Sequence, residues 1–449
     1  MTMRLLLAMA TLLATGVAHA DRDFVLEPNP FVLGQAVDWL DATHVVWHDS
    51  FVRDEDADGE FNIYRSRLDG SEKVCLTCSL EGRDQVPVVR PGGDWILFHS
   101  WHGHPIAIGA PGFGGIGSDL WVMTSDGTGH TNLTNSTDLH DHFHAYWSPD
   151  GKYLVWTALS WNNDEGGNGR SEVRVARFDP NGPSGPRLVD EHVVRPPNGH
   201  WYETQWWAPD GSGFLYTETA DTAINPELFF CRLKSRARGD CQPVRLTVDP
   251  AWDEQAIFTP DMKHVIFMSS RNLPGAHNDW SRVAELLQLP PDWDYAIVLS
   301  VFSNNFLQPV FQQPTDLYEM TLRWNRGRTR FKPGPIRRLT TSGDQGWIIP
   351  EFAWDPAGKR LLWSQARSID GVRVDEACVI RRIREAFIAR VSGVTSVAQI
   401  PFALDVEMRE AASELLRDPN TYPIGDGACG GAAPKAPFVQ ETWIGRYAQ

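Results

Sequence analysis

The stretch Trp147-Ser148-Pro149-Asp150-Gly151-Lys152-Tyr153-Leu154-Val155-Trp156 decides the fold. It reads as strand, tight turn, strand. Pro presets φ at the second turn position, Asp suits the third, and Gly tolerates the exit geometry. Variants recur along the chain: Trp207-Ala208-Pro209-Asp210-Gly211 before Phe214-Leu215-Tyr216-Thr217, Phe258-Thr259-Pro260-Asp261 before His264-Val265-Ile266-Phe267, and Trp354-Asp355-Pro356-Ala357-Gly358 before Leu361-Leu362-Trp363-Ser364. Weaker copies begin at Arg90-Pro91-Gly92-Gly93 and Trp39-Leu40-Asp41-Ala42, which makes six.

Each copy continues in the same way. A loop leads to a third strand of the type Asp119-Leu120-Trp121-Val122-Met123, and a fourth strand ends in Leu-Thr, as at 76–77, 133–134, 246–247 and 339–340. Four short antiparallel strands per unit, repeated at ~40–60 residues, predict a β-propeller. Phe24-Val25-Leu26 reads as a strand that closes the ring by joining the last blade. The interval from Phe258 to Trp354 is about twice the others. Residues 272–315 therefore read as an insertion in blade five of a six-bladed, all-β propeller, with seven blades as the alternative. The expected divisions are a signal peptide at 1–20, a lead-in at 21–34, the propeller at 35–395, and a helical or irregular tail at 396–449.

The W-S-P-D-G repeat, the D-L-[WY]-x-M strands at 119–123 and 316–320, and the Leu-Thr strand ends resemble the TolB-like (WD40-like) family of β-propellers. The resemblance covers residues 35–395. It implies the fold and leaves function open, because such propellers serve as scaffolds, as lyases and as domains fused to hydrolases. A counterpart of TolB's separate N-terminal α/β domain is not expected ahead of residue 35, so TolB's own role is not carried over.

A net charge of −16 over 449 residues argues against a nucleic-acid partner, since no basic face offsets it. Arg4, the apolar run Leu5 to Val17 and Ala18-His19-Ala20 form a signal-peptide pattern. No later uncharged stretch reaches ~18 residues, so no membrane-spanning helix is expected after cleavage. The expected location is periplasmic or secreted. Export permits disulfides. The six cysteines fall in sequential pairs, Cys75 with Cys78, Cys231 with Cys241, and Cys378 with Cys429. Cys75-Leu76-Thr77-Cys78 has a second reading, as a redox or zinc half-site.

Strand order predicts the working face. The Pro-Asp-Gly turns make one face plain, and the long connections gather on the other, where function usually sits. His140, His142 and His144 lie at period two and point the same way on a regular strand. With His200 in the next lead-in, His142 and His144 are candidate ligands for one divalent transition metal at the axis. The alternative is a hydrogen-bonded polar channel lining. Trp201, Trp252 and Trp347 share one position in three blades. They suit sugar rings, with Glu254 and Glu351 nearby, or else inter-blade packing. Asp54, Asp56 and Asp58 with Gly59 follow a calcium-loop pattern and offer a Ca²⁺ site, although Arg65 stands where an EF-hand has Glu. A solvated acidic turn is the other reading.

The sequence thus predicts a ligand-binding propeller, its partner a glycan or other small molecule or an envelope protein. The rival reading is a metal-assisted polysaccharide lyase or hydrolase, with Tyr202 or Glu203 as base. No G-x-S-x-G, phosphate loop or dinucleotide fingerprint is present.

Overall fold

The computed structural model describes residues 23–49, 61–103, 118–136, 140–160, 170–195, 202–219, 226–234, 240–274, 314–327, 329–368 and 438–448. They form six four-stranded antiparallel sheets. The inner strands are Gln35–Trp39, Asp84–Val89, His140–Trp147, Tyr202–Trp207, Asp253–Phe258 and Phe352–Trp354. Six blades stand rather than seven. In blade five, His264–Ser269 pairs directly with Asp316–Trp324, so residues 270–315 belong to one connection within that blade.

The ring closes through both ends of the described chain. Phe24–Asn29 pairs with Phe438–Tyr447, which pairs with Leu361–Ser368. The N-terminal strand is thus the outermost of blade six, as its sequence suggested. Residues 438–447, which sequence left in the tail, are that blade's third strand. They carry no D-L-W-x-M signature, which is why the repeat seemed to stop at 395. Residues 396–437 of the expected helical or irregular tail and residues 275–313 of the insertion lie outside the described residues. So do the signal peptide, Cys378 and Cys429. Among the described residues no helix is long and apolar enough to cross a membrane.

Each repeated letter has a structural task. In the turn, Ser148 Oγ donates to Asp150 Oδ1 at 2.6 Å and accepts from the Tyr153 amide at 2.9 Å. Gly151 sits at φ +64°, where a side chain is strained; Met262 holds the equivalent place at +55°. The Trp before the turn staples neighbouring blades. Trp147 Nε1 donates to the Val88 carbonyl at 3.1 Å, Trp207 to Tyr146 at 3.0 Å and Trp354 to Phe258 at 3.0 Å. Trp39 completes the circle by donating to Ala353 at 3.3 Å.

The Leu-Thr ending locks strand four to strand three. Thr340 Oγ1 donates to Asp316 Oδ1 at 2.5 Å and accepts from the Leu317 amide at 2.9 Å. Thr134 repeats this with Asp119 at 2.6 Å and Leu120 at 3.0 Å. Thr340→Val removes both bonds in a buried place and is expected to cost about 1–3 kcal/mol in chemical denaturation. An unchanged midpoint would show that the motif is ornamental.

The disulfides Cys75–Cys78 and Cys231–Cys241 form as the spacing suggested. The second ties strands whose register places Leu233 opposite Cys241.

Candidate functional site

The inner strands do more than line the axis, because each carries a one-residue bulge. Residues 35–38 oppose 48–46, and 143–146 oppose 157–155, three steps against two. Blades two, four and five repeat this. In blade six the shift falls between the Ile348–Ala366 bridge and the Phe352–Trp363 pair. Val86, His144 and Gln255, each three residues ahead of its turn anchor, have φ of +50°, +47° and +42°. A bulge bends the strand and re-aims a side chain. Here it breaks the alternation that the period-two histidine reading assumed.

His142 and His144 accordingly face different surroundings. Trp156 Nε1 donates to His142 Nδ1 at 3.1 Å, and His142 Nε2 lies 2.8 Å from Ser136 Oγ. That side chain is tied to its own blade through Trp156 and to the connection from blade two through Ser136, whose amide donates to Asp119. His144 instead places Nδ1 3.0 Å from Glu203 Oε1, with its ring 6.4 Å from that of His99. The two histidines expected as a pair thus have different partners, with His144 held at a φ of +47°. Among the described residues no three His, Cys, Asp or Glu side chains form a metal-sized group. His200, Trp201, Asp54, Asp56 and Asp58 lie outside the described residues.

Glu203 and Glu254 come together. They share a hydrogen bond, and Trp252 Nε1 donates to Glu254 Oε2 at 2.8 Å. Burial raises the Glu254 carboxyl, and the Glu203 and Trp252 bonds pull the other way. Gln205 Nε2 donates to Glu203 Oε1 at 3.4 Å. Glu351 is 7% exposed, and its Oε1 has no hydrogen-bond partner. Burial, then the charges of Glu254 and Asp38, push Glu351 up to about 8. Burial lifts Asp38 to about 7, against the amides of Val89 and Trp39. Tyr146 sits amid these groups: burial drives its hydroxyl far up, and Glu351, Glu203, Glu254 and Asp38 add to the rise.

The opposite arc is imidazole. His48, His99 and His144, in blades one to three, are all buried. Burial holds His48 and His144 down at about 3, and burial with help from His144 and His48 holds His99 well below the ordinary imidazole range. All three are neutral at physiological pH. The axis thus has an acidic arc across blades four, five, six and one, and a neutral histidine arc across one to three.

Other expected site residues fall elsewhere. Tyr202 alternates with Glu203 along the strand and faces Arg195, 3.4 Å from its hydroxyl, and the Tyr216 ring. Burial lifts it to about 12, so it is no ready base at neutral pH. Trp252 and Trp347 are buried rather than open platforms. Trp347 packs against the Arg367 guanidinium, 5.1 Å from the ring centroid. Sequence reasoning missed Asp38, His48, His99, Tyr146 and Gln205. His48 and His99 are each the fifth residue of their second strands, opposite Gln35 and Gln85, and that shared offset was the available signal.

No protein-family model and no curated protein matches the chain. Among solved structures it is similar to a protein of Agrobacterium tumefaciens assigned as TolB, at 15% identity over 69% of this chain and 81% of that one, with a TM-score of 0.39. It is also similar to the hydrazine synthase of Kuenenia stuttgartiensis, at 12% identity and TM-score 0.44, over 74% of this chain and 42% of that one. Prolyl oligopeptidase B of Galerina marginata gives 11% identity and TM-score 0.40, over 72% and 37%. The chain thus spans less than half the length of the last two. The six-bladed architecture stands on the sheet order itself.

Proposed function

We propose that this protein is an exported binding propeller that takes a small ligand at the axial end formed by the first halves of its inner strands. The convergence of Glu203, Glu254 and Glu351 from three consecutive blades carries this reading. Ionisable groups at a fold's axis are costly to bury, and a purely structural ring is served as well by apolar residues. The two disulfides support an oxidising compartment, periplasmic or secreted.

The long connections of blades five and six leave and re-enter at Ser269–Asp316 and Ser368–Phe438, the strand ends on this same side. A glycan or an envelope partner would dock at this same end. The test is native mass spectrometry of gently purified protein beside the Glu203→Gln/Glu254→Gln variant. A retained non-covalent mass that disappears in the variant is the expected result. A mass retained equally, or none in either protein, contradicts the reading.

A second reading, hydrolysis of a glycan, is favoured by one observation. Two hydrogen-bonded carboxyls with at least one raised titration are the raw material of general acid–base chemistry. Release of reducing ends from a polysaccharide panel, lost in Glu203→Gln and in Glu254→Gln, would establish it. Activity that survives both substitutions would remove these residues from the chemistry.

A further inference from the structure

The acidic arc has an excess of acceptors. Gln205 turns its amide nitrogen toward Glu203, which leaves its carbonyl Oε1, in a fully buried side chain, without a donor. Glu351 Oε1 likewise has none. These two orphaned acceptors come from blades four and six, on either side of Glu254 in blade five. Buried acceptors of this kind cost free energy until a donor arrives. Tyr146 contributes the only hydroxyl among the groups named here, and the charges acting on it are all carboxylates. What the arc lacks is a compact group with several N–H donors and a positive charge.

Resting on the reading of this axial end as a ligand site, we propose that Glu203, Gln205, Glu254 and Glu351 bind the primary ammonium group of an alkylamine. Three N–H donors of one –NH₃⁺ match acceptors arriving from three blades, and its charge meets the carboxylates directly. The nearby imidazoles, His144 among them at 3.0 Å from Glu203, are neutral and add no competing positive charge. The net charge of −16 favours the approach of a cation. Two sources share this chemistry: a free amine or diamine, and the lysine side chain of a peptide.

The experiment is calorimetric titration of the full folded protein with n-butylammonium, 1,4-diaminobutane and an N-acetyl-lysine-amide peptide. Butanol, tetramethylammonium and calcium chloride serve as comparison ligands. At pH 8 at least one primary amine is expected to bind, and butanol and tetramethylammonium are not. Binding by the free amines alone, or by the lysine peptide, identifies the source, and either outcome supports the ammonium site. Glu351→Gln is expected to weaken the amine at least about tenfold by removing a charge-assisted bond, and Glu254→Gln similarly. Glu191→Gln, on the outer strand of blade three, is expected to leave it unchanged.

Binding is also expected to strengthen from pH 6 to 8.5. The groups facing Glu351 are Glu254, Asp38, Tyr146 and, through Glu254, Glu203 with His144 beside it; of these Glu351, pushed up to about 8, and Asp38, at about 7, shed protons over that range. No binding by any primary amine overturns the proposal, as does equal binding of butanol, of calcium alone, or by Glu351→Gln. A neutral mass retained at the axis in native spectrometry, with every amine failing, would remove the ammonium while leaving the ligand site in place.

Discussion

Glu351→Gln is expected to make the protein more stable at pH 8, with the gain shrinking as pH falls and vanishing only near ~4. The sign follows from proton linkage. In the folded chain Glu351 titrates at about 8 and Asp38 at about 7, whereas unfolded carboxyls titrate near ~4. Between these limits the folded state holds protons that the unfolded state has released. Their contribution is complete below the unfolded value and fades as pH rises through the folded one. The buried histidines act oppositely. His48 and His144 stay neutral down to about 3, while their unfolded counterparts protonate below ~6.5, so their contribution fades as pH falls through that range. Above ~6.5 the histidines are silent and only the carboxyls slope.

Stability of the unaltered protein should therefore fall from pH 6.5 to 8, with Glu351 responsible for about 2 kcal/mol. The amide, isosteric and never charged, flattens that part of the curve. Urea denaturation at pH 5, 6.5 and 8 reads it directly. Parallel curves for the two proteins would show that Glu351 is ionised and solvated in the folded state. Stabilisation together with weakened ligand binding is the pattern of a residue kept for function.

Trp147→Ala is expected to be the most damaging single change to the scaffold, about 3–5 kcal/mol by denaturant titration. The ring is buried, packs edge-on against Phe178 at 5.0 Å, lies 5.7 Å from the Arg90 guanidinium, and donates across the blade boundary to Val88. Removing it opens a cavity and cuts the staple between blades two and three. Trp147→Phe keeps most of the packing and is expected to lose only about 1–2 kcal/mol, the share of the unmade hydrogen bond. Equal losses for the two variants would mean that the staple, rather than the packing, holds the blades together.

The fold was legible because its repeat is local chemistry. Pro-Asp-Gly turns, the preceding Trp and the Leu-Thr ending each make bonds within a few residues or to the adjacent blade, and each is written at fixed spacing. The closing strand at Phe24 was readable as a β-run before the first repeat. Its partner at 438–447 was not, because Gln440, Glu441 and Thr442 interrupt the apolar pattern. These polar side chains are spent on tertiary bonds, Gln440 to the Leu33 carbonyl and Glu441 to Gln365 and Trp443.

The site was half legible. Glu203, Glu254 and Glu351 were found from their place ahead of the turn anchors. His142 and His144 read as a pair on a regular strand, and no residue in Phe143-His144-Ala145 announces the left-handed bulge that gives them different partners. Tyr202 was a neighbour in sequence but turned to the other side of the strand. Asp38 and Tyr146 lie only one residue before their anchors, where a regular strand alternation would not place them with Glu351.

The central claim is that the first halves of the inner strands form a ligand site. Amide hydrogen exchange, with and without saturating 1,4-diaminobutane at pH 8, tests it most directly. The account predicts slowed exchange in 202–207, 253–258 and 352–354, and unchanged exchange in the Pro-Asp-Gly turns at 148–152 and 208–212. Protection confined to those turns or to the outer strands, with the inner strands unaffected, would contradict it.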